Sequence, residues 1–171
     1  MNITRLGGRI VIFGVTLYAS QQNLSPAKTP GIADSIIVSK SAHTLSLMSG
    51  KTVLKTYHVA IGRGSAGTKQ FAGDNRTPEG KYIIDEKNSA SKFHKALHIS
   101  YPNAEDKARA LNLRGSPGGD IEIHGLPTAF AWVGPAQHVL DWTSGCIALT
   151  NEEIDELWKL VAVGTPVEID P

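Results

Sequence analysis

A chain of 171 residues with 41% hydrophobic side chains is long enough for one domain with a sizeable core. Its 17 basic and 16 acidic residues leave a net charge of +1, without the clustered basic excess that a nucleic-acid surface needs. Seventeen glycines and nine prolines suit short strands and many turns better than a helical bundle, and one cysteine excludes an internal disulfide.

The first 20 residues read as an export signal. Arg5 and Arg9 form a positive region, and Ile10 to Ala19 is an apolar run with the length of a signal-peptide core, too short to span a bilayer comfortably. The alternatives are a short strand or an uncleaved, membrane-associated anchor. Residues 21–33 are polar, with Pro26, Pro30 and Gly31, and read as a linker, so the domain proper is 34–171. Within it short β-type runs dominate: 35–39, 44–48 with a turn at Ser49-Gly50, and a longer strand over 52–61 in which Val53, Tyr57, Val59 and Ile61 alternate. Gly62 to Gly80 is loop. Further strands are expected at 81–85 and 97–101.

His94 and His98 have the spacing of a helical metal pair, but this segment reads as loop into strand, so no metal is assigned. Asn103 is placed to cap a short helix through Arg109, with Glu105 and Asp106 in its first turn. Pro117-Gly118-Gly119 turns the chain into Ile121-Glu122-Ile123-His124-Gly125, whose alternation is that of a half-buried strand with Glu122 and His124 on one face. Leu126 to Leu140 is expected as loop, with Trp132 either covering a cleft or simply packing. Thr150-x-x-Glu153 is a capping box, followed by Ile154, Leu157, Trp158 and Val161 on one stripe, and 165–169 makes a last strand.

The chemistry gathers around Asp141-Trp142-Thr143-Ser144-Gly145-Cys146-Ile147-Ala148. A lone cysteine is either a nucleophile with a partner histidine or an inert buried thiol. His124, at the end of a strand beside a glycine, is the first candidate for that partner, and His138 in the following loop is the second. The residues alone leave these readings open.

His124-Gly125 and Thr143-Ser144-Gly145-Cys146-Ile147-Ala148 resemble the signature of the L,D-transpeptidase catalytic domain (YkuD-like), a strand ending in His-Gly followed after a loop by Ser/Thr-His-Gly-Cys-apolar-Arg/Asn. The resemblance extends through Gly73-Asp74-Asn75-Arg76-Thr77-Pro78-Glu79-Gly80, Ser100-Tyr101-Pro102-Asn103 and Pro117-Gly118-Gly119 to Gly164-Thr165-Pro166-Val167-Glu168-Ile169. Ser144 stands where many members carry a second histidine, and Ala148 where many carry Arg or Asn. The resemblance implies a mainly β, sandwich-like fold with one or two short helices and no cofactor. It implies an exported, wall-facing enzyme acting in cell-wall biogenesis and cell shape.

On that resemblance Cys146 attacks the stem tetrapeptide of peptidoglycan, His124 takes and returns the proton, and the Gly125 carbonyl orients the imidazole. Glu122 is a weaker candidate for that orienting role. The Gly145 and Cys146 N–H groups serve as oxyanion donors, and an imidazole ion pair lowers the thiol pKa. Ser144 belongs to the site rim, while Arg76, Glu79, Trp132 and Thr143 are candidates to touch donor peptide. The partners implied are a tetrapeptide donor and an amine acceptor. Hydrolysis at the same site and a non-catalytic wall-binding module are the alternatives. A papain-like protease fits poorly, because its cysteine precedes its histidine in the chain.

Overall fold

A computed structural model describes residues 33–171; the expected export segment and nearly all of the linker lie outside the described residues. Eight strands form one sheet: β1 (Ser35–Ser39), β2 (Thr44–Ser49), β3 (Thr52–His58), β4 (Gly80–Asn88), β5 (Ala96–Ile99), β6 (Glu122–His124), β7 (Ile147–Ala148) and β8 (Pro166–Asp170). Their spatial order is β3-β2-β1-β8-β4-β5-β6-β7. The strands are mostly antiparallel, but β1 runs parallel to β8 and β6 parallel to β7.

Two features curl this sheet. β4 serves both halves, pairing β8 over Gly80–Ile83 and β5 from Ile84 onward, with an irregularity between Ile84 and Glu86. A bulge of this kind bends a strand and sharpens its twist. The sheet's two outermost strands are then joined by the chain that leaves β3: Ala60 and Ala148 exchange both backbone hydrogen bonds, and Gly62 bridges Thr143. The expected strand over 52–61 therefore ends at His58, and its last residues serve the opposite end of the sheet. Val53 is exposed, because β2 and β3 shift register at Leu47/Met48, which takes it out of phase with buried Tyr57, Val59 and Ile61.

One apolar cluster fills the curl. It includes Ile36, Leu45, Leu47, Ile84, Leu97, Ile99, Ile123, Ile147, Val167 and Ile169 from the strands, and Ile154 and Leu157 from a helix. Fully burying a side chain of this kind contributes about 1.5–3 kcal/mol, so the alternating strand faces carry most of the stabilisation.

Among the described residues there are three short helices. α1 (Ala104–Asn112) starts on Asn103, whose side chain accepts from the Glu105 and Asp106 N–H groups while Asp106 accepts from the Asn103 N–H. α2 (Asn151–Leu160) starts on Thr150, and Thr150 and Glu153 cap each other reciprocally. Val161 is buried but lies just past the helix end, and Trp158 is only partly buried, with the Lys87 and Lys95 ammonium groups over its ring. The third helix replaces an expected loop. Thr128–Val139 is 3-10 helical, broken at Gly134, where φ is +50°. Most of its apolar residues face outward, which hid it from a search for buried periodicity.

Candidate active site

The parallel register of β6 and β7 builds the site. Ile123 pairs with Ile147 and His124 with Ala148, which sets Cys146, one residue before β7, abreast of Glu122. Cys146 and His124 line one cavity of about 580 Å³, shared with Asp120, Glu122, Phe93, Trp142, Thr143 and Ser144. A second cavity of about 360 Å³ also reaches Cys146 and Ser144, and its walls include Lys69, Asn75, Gly118 and Gly119. The thiol thus sits where two cavities meet.

His124 is almost wholly buried and tightly held. Phe93 stacks on its ring at 4.2 Å between centroids, and the Trp142 indole meets it edge-on at 5.9 Å. Nδ1 donates to the Gly125 carbonyl at 2.7 Å. A carbonyl only accepts, so Nδ1 carries the proton and Nε2 keeps a free lone pair. This excludes Glu122 as the group that orients the ring. Burial lowers the imidazole pKa to about 4; the Gly125 bond opposes this and nearby Lys92 adds to it. Gly125 is required on packing grounds, since a Cβ there would fall 2.6 Å from Asn151 Oδ1 and 3.0 Å from the Phe93 carbonyl.

The Cys146 thiol donates to the Asp120 carbonyl at 3.5 Å and also meets the Glu122 N–H. Burial above all, with the Glu122 and Asp120 carboxylates, pushes its pKa up to about 11, against the opposing Glu122 N–H and Lys69. Burial of both groups therefore disfavours the ion pair expected from sequence and favours a neutral thiol and a neutral imidazole in the shared cavity.

Gly145 joins the nucleophile to the rest of the fold. Its φ is +130°, and a Cβ there would lie 2.7 Å from the Arg76 carbonyl and 3.1 Å from Ile121 Cδ1. Its N–H donates to Thr143 Oγ1, which in turn donates to the Cys146 carbonyl. One of the two expected oxyanion donors is thus engaged within the turn, which leaves the Cys146 N–H as the better candidate. Thr143 lines the cavity but also ties this turn together.

The remaining predicted residues scatter. Arg76 and Glu79 line a separate cavity of about 480 Å³ that includes neither Cys146 nor His124. Arg76 bonds Ser65, and Glu79 pairs with Lys40 at 2.7 Å. Trp132 is 83% exposed and lines none of these cavities. His138 lies 3.6 Å from Glu153, outside the Cys146 cavity. His94 and His98 take separate carboxylates, Asp155 and Asp85. Among the described residues no group of three or more His, Cys, Asp or Glu gathers as a metal site. Ala148, where the family often has Arg or Asn, is fully buried, and its carbonyl accepts from Gln137.

Sequence reading missed the ring clamp of Phe93 and Trp142 and the Asp120 carbonyl. The turn sequence Pro117-Gly118-Gly119 was the legible sign of an unusual backbone there, and Asp120 follows it with φ at +53°.

A curled, mainly β sheet that brings a strand-end His-Gly and a Gly-Cys to one cavity is the architecture of an L,D-transpeptidase catalytic domain. The family model described as the L,D-transpeptidase catalytic domain (YkuD) matches residues 33–169, and this chain belongs to that family, whose members act on peptidoglycan peptides. Among curated proteins, the chain is 33% identical over 111 residues to "Putative L,D-transpeptidase YafK" of Escherichia coli (strain K12), covering 64% of this chain and 37% of that protein. Among solved structures, the helical cell shape determining protein Pgp2 from Campylobacter jejuni is similar, with a TM-score of 0.60 and 26% identity, covering 81% of this chain and 49% of that one. Bd1075 from Bdellovibrio bacteriovorus aligns with a TM-score of 0.56 and 25% identity, covering 83% and 49%. The chain therefore spans only about a third to a half of these relatives.

Proposed function

We propose that this chain is a cysteine-dependent acyl transferase of peptidoglycan, using Cys146 as nucleophile and His124 as general base and acid. One observation carries the reading: a buried imidazole with Nδ1 locked on the Gly125 carbonyl shares a cavity with the only thiol in the sequence. Cys146 Sγ attacks the carbonyl that joins the third residue of a stem tetrapeptide to its terminal D-Ala. As the S–C bond forms, the thiol proton passes to His124 Nε2, so the thiolate appears only in the transition state. The Cys146 N–H faces the developing oxyanion, and loss of one such donor typically costs about 3–4 kcal/mol. The imidazolium then protonates the departing D-Ala amine as the C–N bond breaks, leaving a thioester. An amine acceptor takes the acyl group to give a cross-link, or water takes it to give a tripeptide.

The reading places the domain outside the cytoplasmic membrane, where peptidoglycan lies, in keeping with the signal-like Arg5, Arg9 and Ile10 to Ala19. The likeness to a cell shape determining protein supports a role in wall remodelling. The test is incubation of the purified protein with a disaccharide-tetrapeptide, read by mass spectrometry. A dimer that has lost one D-Ala, absent with a folded Cys146→Ala variant, is the expected product. Free D-Ala with tripeptide alone would make the enzyme a carboxypeptidase. No product, together with no acyl adduct on Cys146 by intact-protein mass, would replace the enzyme with a wall-binding module.

A further inference from the structure

Glu122 is left without a partner by the geometry that orients His124. Its strand position puts it on the cavity face with His124 and abreast of Cys146. Among the described residues nothing hydrogen-bonds its carboxylate. It is near enough to Cys146 for its charge to raise the thiol pKa. It is also half-buried in β6, on the face opposite the core residues Ile121 and Ile123.

We propose that Glu122 is the specificity-determining residue for the second half-reaction, binding the acyl acceptor as a primary ammonium and taking its first proton. The inference rests on the transferase reading above. An ammonium has no lone pair and must lose one proton before it can attack. It loses a second as the C–N bond forms. His124 accounts for one transfer only, because Nδ1 is committed to the Gly125 carbonyl.

R–NH3+ docks on the Glu122 carboxylate and gives it a proton, leaving R–NH2 beside the thioester. The nitrogen lone pair forms the C–N bond, and the second proton passes to His124 Nε2. The C–S bond breaks, the thiolate takes the proton back from the imidazolium, and Glu122 releases its proton to solvent.

Burial makes Glu122 a better proton acceptor than an exposed glutamate by raising its pKa. Asp120, just before β6, and Glu86 on β4 add to that, while His98 on β5 and Lys92 in the turn after β4 oppose it. Water is already neutral and needs only the His124 transfer. Glu122 therefore governs the choice between amine and water.

The test measures acylation and partition separately, using the full chain, a tetrapeptide donor and a lysine-bearing peptide acceptor. Intact-protein mass reports the acyl adduct on Cys146, and product analysis reports amide against tripeptide. Glu122→Gln keeps the shape and removes the charge. It is expected still to form the Cys146 adduct, at a rate measured separately because the lost charge also acts on the thiol, but to lower the amide-to-tripeptide ratio at pH 7 at least tenfold. That ratio should recover as pH rises toward the acceptor's own pKa, where free amine no longer needs the carboxylate. A readout of stability alone would not move in this way. An adduct that forms normally with an unchanged partition would overturn this inference and leave the transferase reading standing. Absence of any adduct in the parent protein would overturn the transferase reading, and this inference with it.

Discussion

The protonation state of the resting site gives a direct test. If burial holds the thiol near 11, the thiolate share at pH 7 is ~0.01%, against about 3% for a free cysteine with a pKa of about 8.5. Iodoacetamide, which reacts with the thiolate, should then modify folded Cys146 about 300-fold more slowly at pH 7 than the same thiol in the urea-unfolded chain. The rate should climb about tenfold per pH unit from pH 7 to 10, while the unfolded control levels off near its own pKa. Pseudo-first-order alkylation followed by intact-protein mass, at matched reagent concentration, gives both curves. The His124→Ala variant sharpens the test. Removing the ring admits water beside the thiol, so its pKa should fall toward the free value. A resting ion pair predicts the reverse, since loss of the imidazolium would raise it. A folded parent whose alkylation rate is already flat between pH 6 and 8 would refute the neutral-pair reasoning.

Three further tests address the site's supports. The His124 pKa is depressed from the usual 6.5 to about 4 by burial, so between these values the unfolded chain binds the extra proton and stability falls as pH drops. The difference is about 3 kcal/mol when fully developed, and the parent should lose that much more stability than His124→Asn between pH 6.5 and 4 in urea titrations. Gly145→Ala should cost about 3 kcal/mol, from strain at φ +130° and a methyl placed 2.7 Å from the Arg76 carbonyl; calorimetry checks the stability and thiol alkylation the displacement of Cys146. Lys69 and Asp74 form a buried pair, with side chains 4% and 6% exposed. Burial alone would raise the Asp74 pKa, but Lys69 and the Gln70, Arg76 and Phe71 N–H groups hold it below the usual carboxylate range. Lys69→Met should cost about 3–5 kcal/mol and loosen the Gly62–Gly80 loop to limited proteolysis.

Local signals read well where the physics is local. Thr150 with Glu153 and Asn103 with Asp106 form caps because their side chains satisfy N–H groups two or three residues away. Strands with one buried face, such as β1 and β8, show it in alternation. The Thr128–Val139 segment was illegible because its apolar residues do not share a buried stripe. Phe130, Val139 and Leu140 are among those left exposed.

Residue types and their placement at element ends were enough to single out His124, Gly125, Gly145 and Cys146 and to suggest the family. They could not decide which other residues stand beside them. The Arg76 backbone packs on Gly145, but its side chain, like Glu79, lines a different cavity from the thiol, and Trp132 is exposed. Phe93, Asp120 and Lys69 reach the site through long-range pairing that no local pattern encodes. The protonation states followed the same division. A thiol near an imidazole suggests an ion pair from chemistry alone, but the free energy of that pair depends on how much water the surrounding fold excludes. Here Phe93, Trp142 and the curled sheet remove it, and desolvation outweighs the attraction of neighbouring charges.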